Sequence, residues 1–377
     1  MVPVAAARGL RLAVVTVDHG LRPEAANEAA LVAKACAGLG IPHDTLHWQG
    51  WDGQGNISDR ARRARYGLIA QWAQASDVGA VALGHTQDDV AETFLMRLSR
   101  EAGLDGLAAM RSDWQADGLR WLRPMLGLPR AGLRDWLRDM GIAWADDPTN
   151  DDTGYLRVRA RQALAVLATL GIDAPGLAGV ADHLADARAA LAACTCDAAR
   201  RIAVVQAGDV LLDRAGLDEL PVEIRRRLLT GALIWIASTD YGPRASALAT
   251  IHRAISQGRP ATLHGCRVVP STTHLRLTRE PRAVADTICP VDRIWDGRWQ
   301  VFGPYAEGLT VRSLGLVGLQ QCPDWRSAGL PRSSVIASPA VWDGARLVAA
   351  PVAGPTHGWR AEVVGGEQAF ASFLLSH

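Results

Sequence analysis

The first third of the chain alternates between short apolar runs and longer segments with helical periodicity. Leu12–Asp18, Pro42–Trp48 and Val78–Leu83 predict strands, and the last of these is apolar enough to be buried on both faces. Glu24–Leu39 and Ser58–Ser76 lie between them and have the length and periodicity of helices. This βαβ spacing predicts an α/β fold with a parallel, doubly wound sheet.

A histidine and three carboxylates stand where the third predicted strand gives way to a helix. Thr86 is a candidate N-cap, and Asp88 and Asp89 fall in the first turn, where the helix dipole favours negative charge. Glu92 lies one turn beyond Asp88, so these carboxylates share a face near His85. Ligands of parallel α/β sheets bind outside this end of the strands, which makes the group a candidate site for a metal ion or an amine. The alternative is ordinary capping of a helix.

Arg130–Met140 has the periodicity of an amphipathic helix. Leu133, Trp136 and Leu137 recur on one of its faces, and we expect these three side chains to face inward. A turn-rich acidic loop, Asp146–Asp152, follows.

The later part of the chain predicts a different organisation. Leu177–Ile202 predicts one long helix, Pro221–Ile236 another, Leu263–Thr278 a β-hairpin and Pro281–Pro290 a linker. We therefore expect three domains: an α/β domain over residues 1–165, a mainly helical domain over 166–285 and a small C-terminal, β-rich α+β module over 286–377.

Composition describes a soluble globular protein. The 377 residues are 49% hydrophobic and 21% charged, without an apolar run of membrane-spanning length or the apolar core of a signal peptide at the N-terminus. We therefore expect a cytoplasmic protein with no membrane partner. The six cysteines are scattered and contain no Cys-x-x-Cys pair, which predicts reduced thiols rather than a zinc site.

The cations are almost all arginine, although the net charge is only +1. Lys34 is the single lysine, and arginine forks suit phosphate. A GC-rich genome explains this total, so only local clusters carry information. One such cluster is Arg157, Arg159 and Arg161; another is Arg225–Arg227, which we expect to contact the phosphates of a nucleic acid.

Five motifs resemble one enzyme family, in order and at the family's spacing. They are Val17-Asp-His-Gly-Leu-Arg-Pro23, Ala61-Arg-Arg-Ala-Arg-Tyr66, Gly84-His-Thr-Gln-Asp-Asp-Val-Ala-Glu-Thr93, Leu122-Arg-Pro-Met-Leu126, and Asp147-Pro-Thr-Asn150 followed by Arg157-Val-Arg-Ala-Arg161. The chain resembles bacterial tRNA(Ile)-lysidine synthetase, of the PP-loop ATP pyrophosphatase superfamily. The close match covers residues 10–165, and the resemblance implies an adenine nucleotide alpha hydrolase-like fold.

The resemblance implies an ATP-dependent ligase. The family uses ATP and Mg²⁺ to adenylate the wobble cytidine, position 34, of tRNA(Ile) with a CAU anticodon. Free L-lysine then displaces AMP from C2, which gives lysidine. The implied partners are tRNA(Ile) and free L-lysine, and we expect a dimer or a monomer.

The resemblance also implies roles for the reacting residues. Arg65 and Arg157 would contact phosphate or the reacting nucleotide. His85, Asp89 and Glu92 would line the pocket where activated cytosine meets lysine, and a carboxylate there would attract the lysine ammonium or accept its proton.

Other matched positions would hold the cofactors. Val17 and Asp18 would border the adenine site, and Gly84 would approach the nucleotide together with His85. Asp88 and Asp89 would be the ligands of Mg²⁺.

One departure from the family pattern concerns the phosphate loop. The family opens with a strand, a Ser-Gly-Gly-x-Asp-Ser loop and a helix, and this loop does not occur in the chain. Eleven residues precede Leu12, whereas a βα unit needs about thirty. We therefore expect a start codon placed too late or a clipped gene, and little lysine transfer by this form. The alternatives are a non-catalytic tRNA-binding remnant and a tRNA-thiolating relative, which the lack of Cys-x-x-Cys disfavours.

Overall fold

The structure is a computed structural model that describes residues 7–21, 25–51, 54, 57–144, 154–366 and 369–376. The chain divides into two compact units, Met1–Asp186 and Ala187–His377. The predicted division into three domains stays a prediction. The acidic loop Asp146–Asp152 and most of the Gly-rich segment near residue 53 lie outside the described residues.

The first unit is a parallel α/β fold, as predicted. β1 (Val14–Asp18) pairs in parallel with β2 (His43–His47). β3 (Ala80–Ala82) pairs in parallel with β5 (Leu119–Leu122), to which β4 (Asp113–Ala116) adds an antiparallel edge. The helices of this unit are α1 (Ala25–Gly38), α2 (Ile57–Ala75), α3 (Gln87–Leu98), α4 (Leu104–Leu107), α5 (Arg130–Asp139), α6 (Leu156–Leu167) and the first part of α7 (Ala174–Ile202).

One core joins both groups of strands in this unit. Val15 and Val17 of β1 pack against a buried cluster that contains Ile69 of α2, Val81 of β3 and Trp121 of β5. Burial of such apolar side chains stabilises the fold by roughly 25 cal/mol per Å². The strands therefore share one hydrophobic core, although hydrogen bonds link the described strands as two groups.

Two predictions of burial in this unit are wrong. In β3 only Val81 is buried, while Ala80 and Ala82 are exposed, because successive side chains of a strand point to opposite faces and only the face that carries Val81 is covered. Trp136 on α5 is 55% exposed, and Leu133 is only half-buried. The apolar face of α5 is thus only partly covered: Leu133 and Leu137 are half-buried, and Trp136 lies open to solvent.

The second unit begins with a five-stranded antiparallel sheet packed on a buried helix. The core cluster includes Leu212, Leu228, Leu233, Leu275 and Leu277. The strand order is β6 (Ala203–Gln206), β7 (Asp209–Asp213), β10 (His274–Arg279), β9 (Cys266–Pro270), β8 (Ala261–Leu263). The associated helices are the end of α7, α8 (Arg214–Glu219), α9 (Val222–Ala237) and α10 (Ala245–Ser256). The region predicted as mainly helical thus also contains a sheet.

The C-terminal part of this unit is a small α+β assembly. A four-stranded antiparallel sheet has the order β11 (Ile288–Pro290), β13 (Leu309–Ser313), β14 (Pro339–Asp343), β15 (Arg346–Ala349), and β12 (Trp299–Phe302) pairs with β16 (Arg360–Val363). Its short helices are α11 (Gly315–Gln320) and α12 (Arg332–Ile336), whereas α13 (Ala369–Ser376) packs Phe370 and Leu374 into the core of the five-stranded sheet.

The prediction of a linker at Pro281–Pro290 is wrong. Pro281–Val284 forms a short 3-10 helix, and Ile288–Pro290 is β11. Val284 is fully buried in a core cluster with Trp295, so this segment is packed structure rather than a free connection.

Two expectations concern the whole chain. All six cysteines are free thiols, as predicted. No single described helix has both the length and the apolar composition of a membrane span; Leu156–Leu170 and Ala174–Ile202 reach that composition only as a pair bent by 99°.

Candidate active site at the ends of the parallel strands

The start of α3 is fixed by a reciprocal cap. Thr86 is the N-cap residue, as predicted, and Asp89 accepts hydrogen bonds from its backbone N–H and its hydroxyl, both at 2.8 Å. Burial raises the pKa of Asp89, but the bonds from Thr86 and the charge of Arg130 outweigh burial and lower it. Asp89 is therefore a charged part of the helix cap.

Arg130 joins the three carboxylates that the sequence placed on one face. Its backbone N–H donates to Asp88 at 2.6 Å and so caps α5. Its guanidinium donates to Glu92 at 3.1 Å and to Asp89 at 3.3 Å. Arg130 was not among the predicted site residues, because its role arises from contact between segments 38 to 42 residues apart.

Glu92 is fully buried inside a group of arginines. Nε of Arg161 donates to its Oε1 at 2.6 Å, and Nε of Arg157 lies 3.2 Å from its Oε2. The second contact is an ion pair by distance but lacks hydrogen-bond geometry. Oε2 of Glu92 and Nε of Arg157 are consequently buried without a hydrogen-bond partner among the described residues. Capping accounts for Asp89 but does not account for Glu92.

Of the three arginines at the start of α6, two lie on the same face of the helix. Arg157 and Arg161 are one turn apart and both reach Glu92, while Arg159 between them is exposed. A helix scatters residues two apart around its axis, so only alternate members of the block can share a target.

Arg65 lies near the ends of both β1 and β3. Burial lowers its pKa, Tyr66 raises it, and nearby Arg157 lowers it further. Burial is the largest cause that lowers the pKa of His19, which follows β1, and of His85, which follows β3, and the charge of Arg65 lowers both further. Arg65 therefore lies within electrostatic range of the residues that follow both strands, and the shared edge of the two groups of strands stays a prediction. Nε of Arg65 and Nδ1 of His19 are buried without a partner among the described residues.

His85 is a neutral histidine at this edge. Its Nδ1 accepts a hydrogen bond from Nε of Arg123 at 3.3 Å. Burial is the largest cause that lowers the pKa of His85 to about 4, and the charge of Arg123 adds to it. His85 is thus uncharged at pH 7.

The residues predicted to border the nucleotide differ in which of their groups are available to contact it. Asp18 accepts from the backbone N–H of Gly20 at 2.8 Å and shapes the turn after β1. The side chain of Val17 packs into the core, so any contact with a nucleotide must come from its backbone. Gly84 is exposed, and a Cβ there would lie 3.6 Å from Met125, an ordinary contact, so space does not require glycine.

The predicted Mg²⁺ ligands are largely engaged by other groups. Both oxygens of Asp89 accept N–H or O–H donors, and one oxygen of Asp88 accepts the backbone N–H of Arg130. Across the described residues, no group of three or more His, Cys, Asp or Glu side chains could hold a metal ion. Mg²⁺ commonly needs only one or two carboxylates beside phosphate oxygens. Coordination by Asp88 and Asp89 therefore stays a prediction.

Comparison with known proteins identifies the class of this unit. Residues 1–167 match the model of the PP-loop domain, a class of ATP-binding domains, in agreement with the parallel fold and the cationic strand edge. The chain is 52% identical over 368 residues to the tRNA(Ile)-lysidine synthase of Ruegeria pomeroyi, covering 98% of this chain and 88% of the relative. It is 41% identical to the tRNA(Ile)-lysidine synthase of Bradyrhizobium diazoefficiens, covering 68% and 73% of the two chains. The chain belongs to the family of tRNA(Ile)-lysidine synthases.

A solved structure shows a weaker likeness. The U34-tRNA thiolase NcsA from Methanococcus maripaludis matches with a TM-score of 0.40 and 15% identity, over 47% of this chain and 62% of that one. A likeness at this level carries no argument about function.

Proposed function

We propose that this chain adenylates the C2 oxygen of the wobble cytidine of tRNA(Ile), with pyrophosphate leaving from ATP, and that free lysine then displaces AMP at the edge where β1 and β3 end. As a member of its family, the chain is an ATP-using ligase that forms lysidine on tRNA(Ile). The order of the two steps and the residues that perform them are the proposal.

The proposal rests on two buried arginine N–H groups that have no hydrogen-bond acceptor among the described residues. Nε of Arg65 and Nε of Arg157 lack hydrogen-bond partners in the described part of the chain, and the two charges repel each other. A buried unsatisfied donor costs about 1–3 kcal/mol, and more when charged. A phosphate would satisfy both donors, and adenylation places a phosphate beside the cytidine. We therefore assign Arg65 and Arg157 to the phosphate of ATP or of the adenylated cytidine.

The second half of the proposal concerns lysine. Oε2 of Glu92 is a buried acceptor without a hydrogen bond among the described residues, and it suits an ammonium or the proton of an attacking amine. Arg157 lies 3.2 Å from this oxygen. When Arg157 turns to a phosphate, Glu92 becomes available to lysine, so nucleotide binding prepares the amine site.

The lysine step needs no reactant beyond the amine and the adenylated cytidine. The amine nitrogen attacks C2 and forms a C–N bond, the C2–O bond breaks, and the oxygen leaves with AMP. Glu92 accepts the proton that the amine loses. Val17, Asp18, Gly84 and His85 line the nucleotide side of this pocket in the proposal. Cytoplasmic location and a monomer or dimer stay predictions.

The test is incorporation of labelled lysine into tRNA(Ile) by the purified chain with ATP. Membership of the family predicts lysine-dependent release of one AMP per lysidine, whereas the absence of a Ser-Gly-Gly-x-Asp-Ser loop predicts little transfer, and this assay distinguishes the two expectations. Arg65→Met should lower the rate by at least tenfold, about 1.4 kcal/mol, through loss of the phosphate donor. Arg63→Met is the matched control, because Arg63 lies on the same helix, is exposed and is paired with Asp59 at 3.0 Å.

Equal rates for the two variants would contradict the assignment of Arg65. A chain that binds tRNA(Ile) but forms neither adenylated tRNA nor lysidine would favour the non-catalytic tRNA-binding remnant instead.

A further inference from the structure

Arg123 is a buried arginine that the proposed chemistry leaves without a role. It follows β5 in the motif Leu122-Arg-Pro-Met-Leu126, and only 7% of it is exposed. Its contacts in the described chain are uncharged groups, which is unusual because buried arginines are normally paired with a carboxylate.

Four contacts fix the plane of the Arg123 guanidinium. One terminal nitrogen donates to the carbonyl oxygen of Arg111 at 2.6 Å, and the other donates to the hydroxyl of Tyr66 at 3.1 Å. The guanidinium carbon lies 4.2 Å from the centre of the Trp114 ring, a cation–π contact. The remaining donor, Nε, points at Nδ1 of His85 at 3.3 Å.

The stack behind Arg123 is packed into the core of the unit. Trp114 stacks on Trp121 with ring centres 5.9 Å apart and an angle of 14° between the planes. Trp121 is fully buried, and its Nε1 donates to the carbonyl oxygen of Ala116 at 3.2 Å. The direction of the Arg123 Nε–H bond is therefore set by the core and not by His85.

A guanidinium can only donate hydrogen bonds, so its partner nitrogen on His85 must be an acceptor. In a neutral imidazole the proton then resides on the other nitrogen. We propose that Arg123 is a positioning residue that holds His85 as the neutral Nε2–H tautomer, so that His85 donates a hydrogen bond to an oxygen of the reacting nucleotide.

This assignment changes what His85 can do. Burial and the Arg123 charge keep the ring uncharged at pH 7, since its pKa is lowered to about 4. With Nδ1 engaged and Nε2 protonated, the ring offers no lone pair for a metal ion or for a proton. It is instead a donor for an oxygen on which charge develops during adenylation. The tautomer stands on the structure alone, whereas the identity of the oxygen rests on the proposed function.

The experiment is a long-range ¹⁵N–¹H correlation spectrum of the histidine-labelled full chain at pH 7. The chain has ten histidines, and the signal lost in His85→Asn identifies His85. The expected wild-type result is a single Nε2–H tautomer. Arg123→Met keeps an apolar stem over Trp114 but removes the donor, and should give a tautomer mixture for His85.

Arg120→Met is the matched control. Arg120 lies on β5, three residues before Arg123, is exposed and pairs with Asp113, so its loss should leave the His85 signal unchanged. The wild-type spectrum alone overturns the proposal if His85 carries its proton on Nδ1 or is cationic at pH 7, even if Arg123→Met does not fold. An unchanged His85 signal in a folded Arg123→Met variant also overturns it.

Activity separates this proposal from the proposed function. Arg123→Met should lower the single-turnover rate of cytidine adenylation about tenfold with unchanged tRNA affinity. If the wild-type chain forms no lysidine but shows the expected tautomer and its loss in Arg123→Met, the proposed function fails and the positioning role of Arg123 stands.

Discussion

Two buried carboxylates, Glu92 in the first unit and Asp209 in the second, lie beside arginine but differ in how completely they are satisfied. Oδ2 of Asp209 accepts from Arg276 at 2.7 Å and from the Ser334 hydroxyl at 2.6 Å. Arg276 in turn donates to Gln206 at 2.6 Å. This cluster is closed at the carboxylate, because the protein itself supplies the counter-charge and the donors to Oδ2, although Oγ1 of the neighbouring Thr278 is buried without a hydrogen-bond partner among the described residues.

The Glu92 cluster is open. Arg130, Arg157 and Arg161 surround one carboxylate, and one oxygen of Glu92 and one donor of Arg157 remain without hydrogen bonds among the described residues. A buried polar network whose hydrogen bonds are all made contributes rigidity. A buried network with unmade hydrogen bonds, in a site that ligands reach, indicates where a ligand binds and completes those hydrogen bonds. We therefore infer that Asp209 stabilises the fold and that Glu92 takes part in the reaction.

The largest expected effect is on stability, at the closed cluster. Asp209→Ala leaves Arg276 buried without its counter-charge, with 10% of that side chain exposed. Loss of one partner of a buried pair costs about 3–5 kcal/mol of unfolding free energy. Urea denaturation of the full chain measures it. Ser334→Ala, which removes one neutral donor, should cost about 1 kcal/mol. Similar small losses in both variants would break the comparison.

At the open cluster the expected effect is on reaction rate. Glu92→Gln should slow lysine transfer at least tenfold, about 1.4 kcal/mol, while cytidine adenylation continues. Asp89→Asn should damage adenylation itself. The arginines around Glu92 are 28–43% exposed, so water can hydrate them and the stability loss should be only about 1 kcal/mol. Single-turnover assays follow adenylated tRNA and lysidine separately. Normal rates of both steps in Glu92→Gln would show that the open oxygen serves no substrate.

A smaller effect should appear in the pH dependence of stability. The folded pKa of His85, about 4, lies below the ordinary 6.5, so between these values the unfolded chain binds more protons. Stability therefore rises with pH across this window and is lost as pH falls, by about 1 kcal/mol after partial solvent screening. The lowered pKa of Asp89 acts mainly below its ordinary 3.8 and contributes only at the acid end of this window.

His85→Asn should flatten this part of the curve of unfolding free energy against pH. His183→Asn is the control, since His183 is exposed on α7, and it should leave the slope unchanged. Identical slopes in the wild type and His85→Asn would reject the contribution of His85.

The smallest effect is expected for Arg225–Arg227, where the structure changes the prediction from sequence. Arg226 and Arg227 pair with Glu223 at 2.7 and 2.9 Å, and Arg225 donates to the carbonyl oxygen of Asp218. Glu223 holds two of the three guanidinium groups, although Nε of Arg225 is buried without a hydrogen-bond partner in the described chain, so replacing all three by Ala should change tRNA affinity less than twofold. A marked loss of affinity with a flatter salt dependence would restore the original prediction.

A second group of arginines differs from Arg225–Arg227, because its members are exposed and have no carboxylate partner in the described chain. Arg267, Arg282 and Arg332 line two adjoining grooves of about 440 and 350 Å³. Their joint replacement by Gln should weaken tRNA binding several-fold and reduce its dependence on salt, since each phosphate contact contributes to that slope.

Local patterns were enough to predict the parallel fold, the Thr86 cap and the shared face of the carboxylates. Each of these depends on residues within one or two helical turns or on the order of strands. Arg130 and Arg123 were missed as site residues because their partners come from other elements. Exposure of Trp136 was missed for a related reason: periodicity shows which face of a helix is apolar, but not whether another element covers it.

The attachment of α5 has a consequence for how this site opens. None of its described side chains is buried, and the helix is tied to α3 through its first residue, Arg130. Local unfolding of α5 should therefore cost little free energy at its C-terminal end and most at Arg130, so amide hydrogen exchange should slow progressively toward that residue. A fluctuation that released Arg130 would remove one of the two donors to Oε1 of Glu92, leaving Arg161 on that oxygen and Arg157 beside Oε2.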